Sequence, residues 1–134
     1  MYQENTGKDI NALTGYEVHA QVAFVFSYLN KLSDIRRACV YWKYGNKIER
    51  KVCSKEILDK GTMNIPKMFS NKEECIKAMS CYTVREISKR CNISTRQSWK
   101  AKNKFLDYIE PIVSNVMIDM EDWLQFQVKN TVGS

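Results

Sequence analysis

Basic side chains are concentrated in one short stretch of this 134-residue chain. Residues 83–105 hold seven lysines and arginines against a single acid, Glu86, and this excess equals the net charge of +6 of the whole chain. A local basic block is typical of a surface that binds an anionic partner, most often nucleic acid. Charge alone leaves a second interpretation open, which is a helix face that is simply solvated.

Residues that could support catalysis or hold a metal are sparse. His19 is the only histidine, and the sequence contains no glycine-rich phosphate loop, so we expect neither an enzyme nor a bound cofactor. Zinc sites usually pair cysteines two to four residues apart, whereas five residues separate Cys75 from Cys81. Together with Cys53 and Cys91, this spacing favours buried thiols over a metal site.

The composition is that of one ordinary globular domain. Of the residues, 44% are hydrophobic and 27% are charged, with five glycines and two prolines, which disfavours a turn-rich all-β design. No apolar run approaches the roughly 20 residues of a membrane span, and residues 1–11 are unlike a signal peptide. We expect a soluble, intracellular protein, and the odd number of cysteines disfavours a disulfide framework.

Two helices are predicted after a flexible arm over residues 1–15. An apolar face that begins near Tyr16 is wide enough to indicate a well-buried first helix. Its members are Val18, Val22, Val25 and Leu29, with Phe24, Phe26 and Leu32 beside them. Ser33 then suits the N-cap of a short helix over 34–44, which Gly45 is expected to end in the left-handed conformation.

Residues 46–82 have weaker patterns. Residues 47–53 alternate as an extended segment would, 54–58 suit one or two helical turns, and 62–69 form a loop around Pro66. Ser70 with Glu73 is a capping-box pattern that predicts the start of another helix.

Two more capping boxes follow in close succession. Thr83 with Glu86 predicts the start of one helix, and Ser94 with Gln97 predicts the start of the next. Asn92 lies between them and tolerates the left-handed backbone of a tight turn. Two short helices joined by such a turn, the second of them basic, match the helix-turn-helix plan, and the alternative is an ordinary helical hairpin.

The packing positions of this plan are partly occupied by unusual residues. Ile87 is the apolar residue on the inner face of the first helix, Ser88 stands where alanine is more common, and Ile93 is an apolar plug after the turn. An aliphatic residue is expected where Ser98 stands, so Trp99 is expected to rotate into the core in its place.

Side chains on the outward face of the second helix are candidates to read bases in the major groove. Arginine pairs with guanine, whereas glutamine and asparagine pair with adenine. The base-reading candidates are Arg96, Gln97, Lys100 and Asn103. Ser94 and Thr95 would approach the phosphate backbone. The other basic candidates are Arg85, Lys89, Arg90 and Lys104. Of these, Lys89, Arg90 and Lys104 should hold phosphates, as should Lys102.

The last part of the chain changes charge sign. Pro111 is predicted to break the basic helix or to start another, and the final helix should run over about 112–126 before a flexible tail at 127–134. Its acidic face carries Asp119, Glu121 and Asp122. A helix that closes the core is favoured over a partner-binding or homodimer surface.

Three segments together carry a resemblance to a known family. Residues 29–45 resemble the helix that precedes the helix-turn-helix in sigma-factor region four, and residues 83–88 and 94–106 resemble its next two helices. Phage late-gene antiterminators of the Q type share this pattern, and some carry an insertion within it. The insertion here would be residues 46–82.

The resemblance implies an all-α fold of five to seven helices, with a single DNA-binding domain over 16–126. It implies a phage transcription regulator that binds double-stranded DNA and RNA polymerase in the cytoplasm of a bacterial host cell and acts in antitermination. Two alternatives stay open. One is a plain repressor, activator or recombination accessory factor, and the other is a helical protein-binding adaptor that does not bind DNA.

Overall fold

The computed structural model describes the backbone of residues 15–132 and the side chains of 22–127 and 129. This part of the chain contains six α-helices and no strand, so the all-α prediction is confirmed. The helices are α1 (Gly15–Asn30), α2 (Asp34–Tyr44), α3 (Lys47–Lys60), α4 (Lys72–Met79), α5 (Val84–Cys91) and α6 (Thr95–Val132). Residues 1–14 of the predicted arm lie outside the described part of the chain.

Helix α2 begins and ends where the sequence predicts. The Ser33 hydroxyl accepts a hydrogen bond from the backbone N–H of Arg36 at 3.4 Å, as an N-cap residue does. The left-handed ending at Gly45 is wrong, because this residue has φ −84° and ψ 174°. Glycine is suited to this position for space, since a Cβ atom would lie 2.5 Å from the Tyr41 carbonyl oxygen and 2.8 Å from Glu49 Oε1.

The extended segment predicted at 47–53 is also wrong, because helix α3 occupies it without a break. Asn46 accepts a hydrogen bond from the Glu49 N–H, and the Glu49 carboxylate accepts one from the Asn46 N–H. This reciprocal cap overrides the weak alternation. At the next helix the cap is Asn71, which accepts from the N–H of Glu74, so the capping box predicted at Ser70 is one residue out of register.

Helix α6 is one continuous helix of 38 residues that ends at Val132, so the predicted break at Pro111 and the predicted end of the last helix near residue 126 are wrong. Pro111 is exposed and lacks an N–H, which costs about 3 kcal/mol in a helix interior. On both sides of it, Phe105, Ile109, Val113 and Val116 are almost fully buried. Burial of this apolar stripe offsets the cost and carries the helix through the proline.

The main core lies between α2, α3, α4 and the first half of α6, and the segment predicted as an insertion supplies much of it. Buried core residues from that segment are Cys53, Ile57, Phe69, Cys75, Ala78, Met79 and Cys81. Helix α1 packs on a smaller cluster through Leu29, with Val40 and Val116. For the described side chains of α1, from Val22 onward, the expectation of a well-buried helix is wrong, because Val22 and Phe26 are about half exposed and only one stripe of these residues meets α2 and α6.

Helices α2 and α3 are joined to the end of α4 at a single carbonyl group. The Met79 carbonyl oxygen accepts a hydrogen bond from Trp42 Nε1 at 3.0 Å and another from Arg50 Nε at 3.0 Å. Because α5 begins five residues after Met79, this junction fixes where α5 starts relative to the core.

Candidate nucleic-acid interface

The turn between α5 and α6 has the backbone that the sequence predicts. Asn92 has φ 53° and ψ 50°, which lie in the left-handed region, and its N–H donates a hydrogen bond to the Ser88 carbonyl. Among the described residues other than glycine it is the one with positive φ. The Ser88 hydroxyl donates to the Ile93 carbonyl at 2.6 Å. The hydroxyl of Ser88 therefore links α5 to the residue that follows the turn, by a hydrogen bond that an alanine at this position could not make.

The two caps of this unit are formed differently. Thr83 Oγ1 accepts from the N–H of Glu86 at 3.1 Å, but the Glu86 carboxylate accepts from the N–H of Tyr82. The capping box predicted between Thr83 and Glu86 is therefore only half formed. At α6, Ser94 Oγ accepts from the N–H of Gln97 at 3.1 Å, which fixes the start of the basic helix.

The first turns of α6 have a sharply divided surface. Ser98, Ala101 and Phe105 face the core and are at most 1% exposed. The side chains between them point to solvent because the helix repeats every 3.6 residues. Every residue predicted for the DNA-binding site is exposed, namely Arg85, Lys89, Arg90, Ser94, Thr95, Arg96, Gln97, Lys100, Asn103 and Lys104.

Trp99 does not enter the core, so that expectation is wrong. Its side chain is 54% exposed, and it lies on the outward face between Arg96 and Asn103. The small Ser98 takes the inward position, where its hydroxyl donates to the Ser94 carbonyl at 2.9 Å. Position 98 shares the inward stripe with Ala101, whereas position 99 is rotated about 100° away from it. This spacing could have identified Trp99 as a surface residue.

The cations of this surface are not neutralised by neighbouring acids. Within the described residues, seven basic side chains form ion pairs, and they are Arg36, Arg37, Lys43, Lys47, Lys60, Lys72 and Lys77. None of the basic residues predicted for the site is among them. A group of free cations beside a helix N-terminus produces a positive field that attracts phosphate.

The loop between α3 and α4 extends this surface. Asn64, Pro66 and Lys67 border a cleft of about 640 Å³ whose opposite wall is formed by Lys100 and Lys104. Sequence reasoning missed Lys67, because nothing in a loop sequence indicates which helix the loop will approach. The cleft brings a third lysine beside two that were predicted.

The thiols form no metal centre in the part of the chain that the structure describes. Cys39, Cys53, Cys75 and Cys81 are buried and free, and no group of three or more potential metal ligands is found among the described side chains. Burial raises the pKa of Cys39 and of Cys75 to about 12. These thiols therefore stay protonated and serve as small apolar core residues.

Comparisons of this chain with protein-family models, curated proteins and solved structures give no match. None of the helices in the described part is long and apolar enough to cross a membrane.

Proposed function

We propose that this protein is a double-stranded DNA-binding transcription regulator that uses α5, the Asn92 turn and α6 as a helix-turn-helix. The observation that carries the proposal is the outward face of the first three turns of α6. It presents unpaired basic and amide side chains at the N-terminal end of a helix whose inner face is fully packed. A recognition helix needs this division, because its outer face must be free to enter the major groove.

The proposed contacts follow from side-chain chemistry. Arg96 would pair with guanine, and Gln97 and Asn103 would pair with adenine. The hydroxyls of Ser94 and Thr95 would meet the phosphate backbone, as would the flanking lysines and arginines. Trp99, in the middle of this face, would make apolar contact with a thymine methyl group or a sugar.

The more specific proposal is an antitermination-like factor that acts with RNA polymerase in a bacterial host. It rests on the sequence resemblance of residues 29–45, 83–88 and 94–106 to sigma-factor region four and to phage antiterminators. Within this protein α5 packs on α4 as well as on α6, and α4 belongs to the segment without counterpart in sigma factors. Transcription reactions in vitro on a template with a terminator would distinguish antitermination from plain repression or activation.

Binding to duplex DNA across a salt series tests the DNA proposal. The logarithm of affinity should fall linearly with the logarithm of salt concentration, and the slope should flatten by about 0.9 for each phosphate that a variant no longer binds. We expect Arg96→Ala/Lys100→Ala to weaken binding and flatten the slope. The matched control is Lys31→Ala/Lys129→Ala. Position 129 lies about 45 Å along α6 from Trp99, and Lys31 lies against Trp123 near the same end.

The result also separates DNA binding from the alternative of a protein-binding adaptor. A slope that flattens in the Arg96→Ala/Lys100→Ala variant and stays unchanged in the control supports DNA binding. Absence of binding at low salt, or equal slopes in both variants, would overturn it and leave the adaptor.

A further inference from the structure

A second basic surface lies in a groove between α3 and α4 and adjoins the predicted DNA-binding site at Arg90. Its volume is about 1060 Å³, and Arg90 of α5 lies on its border. Six cations line it against a single acid, Glu73, and these cations are Lys47, Lys51, Lys55, Lys72, Lys77 and Arg90.

Aliphatic side chains are exposed within this basic surface. Ile48 is 77% exposed and Val52 is 64% exposed, and Ile48 is the most exposed large hydrophobic side chain among the described residues. Four residues apart, the two lie one above the other on α3. They are on the opposite side of the helix from its buried residues, Cys53 and Ile57, so folding of this chain alone does not account for them.

The cations around these aliphatic side chains are only partly neutralised. Lys47 is paired with Glu86, Lys72 with Asp59, and Lys77 with Glu74. Within the described residues, Lys51, Lys55 and Arg90 have no ion pair. The groove thus offers an apolar stripe with free positive charge on its border.

We propose that this groove docks an amphipathic helix from another protein, with an apolar stripe that covers Ile48 and Val52 and acidic residues that pair with Lys51 and Lys55. A helix laid in an apolar groove is a common mode of peptide recognition, and the charge balance specifies an acidic partner. A nucleic acid fits less well. Single strands are usually held by stacking on aromatic side chains, and no aromatic residue lines this groove.

The proposal does not depend on DNA binding by α6. A labelled 16-residue peptide of leucine, glutamate and the helix-favouring alanine, with leucines at i, i+3, i+4 and i+7, serves as the probe in fluorescence anisotropy. We expect saturable binding that Ile48→Ser/Val52→Ser weakens by at least about tenfold and that Lys51→Glu/Lys55→Glu also weakens. The matched controls, Ile118→Ser and Lys31→Glu, should bind the peptide as the unaltered protein does.

Four results would overturn the proposal. The first is no binding of the peptide, and the second is equal binding of a peptide in which glutamine replaces every leucine. The third is that Lys51→Glu/Lys55→Glu weakens duplex DNA binding while peptide binding stays intact, which would assign the groove to nucleic acid. The fourth is a dimer in sedimentation equilibrium that Ile48→Ser/Val52→Ser converts to a monomer, which would assign it to a second copy. Both variants change exposed residues, and circular dichroism checks that they fold.

Discussion

The guanidinium carbon of Arg50 lies 3.6 Å from the centroid of the Trp42 ring, in a region where Arg50 is only 7% exposed. Within the described residues no carboxylate pairs with it. Its NH1 donates to the Trp42 carbonyl at 3.2 Å, and the Tyr82 ring lies 4.7 Å away. Burial lowers the pKa of Arg50. Backbone carbonyls and ring faces thus take the place of a counter-ion and tie α2 and α3 to the segment before α5.

Replacing Arg50 should therefore destabilise the fold. We expect Arg50→Ala to lower the free energy of unfolding by about 2–4 kcal/mol, because it removes hydrogen bonds to two buried carbonyls and leaves a cavity beside Trp42. Denaturant unfolding measures the change. The adjacent Lys51→Ala is the control, since Lys51 is exposed and its removal should cost less than about 0.5 kcal/mol. Equal changes in the two variants would contradict a role for the buried guanidinium.

Substitutions of Asn92 should differ in stability according to how well the new residue adopts the left-handed backbone. We expect Asn92→Gly to leave the free energy of unfolding nearly unchanged and Asn92→Ala to lower it by about 1 kcal/mol, as measured by thermal unfolding. Alanine is destabilised by about that much in the left-handed region, whereas glycine is not, and asparagine tolerates this region because its short polar side chain can form local hydrogen bonds. If alanine proved as stable as glycine, the left-handed turn would be refuted.

The exposed position of Trp99 separates its effect on DNA binding from its effect on stability. We expect Trp99→Ala to change the free energy of unfolding by no more than about 1 kcal/mol. Phe105→Ala, at a buried position on the inward face of the same helix, should lower it by about 3–5 kcal/mol. Duplex DNA should shield the Trp99 indole from acrylamide, measured as the difference in quenching between the unaltered protein and Trp99→Phe. A drop in stability at Trp99 as large as at Phe105 would place the indole in the core.

The ion pair between Lys47 and Glu86 should make stability depend on pH. The hydrogen bond from Lys47 is the largest cause that holds the pKa of Glu86 below its ordinary value, and the N–H of Tyr82 lowers it further. Because this pKa is lower in the folded than in the unfolded state, the stabilisation is complete above the unfolded pKa of about 4.3 and disappears as pH falls through the folded pKa.

We therefore expect Glu86→Gln to be less stable than the unaltered protein at pH 7 and to show a smaller drop in stability between pH 5 and pH 3. Thermal unfolding midpoints across this range provide the measurement. Glu121→Gln removes an exposed carboxylate near the other end of α6 and is the control. A fall in midpoint with pH that is the same in Glu86→Gln and in the unaltered protein would contradict the prediction.

Local signals in the sequence determined the all-α class, the bounds of α2, the left-handed turn at Asn92 and the exposure of the predicted DNA-binding residues. Each depends on a neighbour within about four residues, such as a hydroxyl that caps an N–H or the spacing of an inward stripe. The sequence also concentrated free cations in one block, because acids are almost absent from residues 83–105.

Only the tertiary structure decided that α6 continues through Pro111 and that Lys67 lies beside Lys100. The outward position of Trp99 and the helix over residues 47–60 had local signals in the sequence, the spacing of Ser98 and Ala101 and the cap at Asn46. Long-range burial outweighed the local penalty at Pro111, and the small Ser98 left the indole of Trp99 outside. The groove beside Ile48 could not be predicted from the sequence either. An exposed aliphatic residue becomes evident only when the buried side of its helix is known.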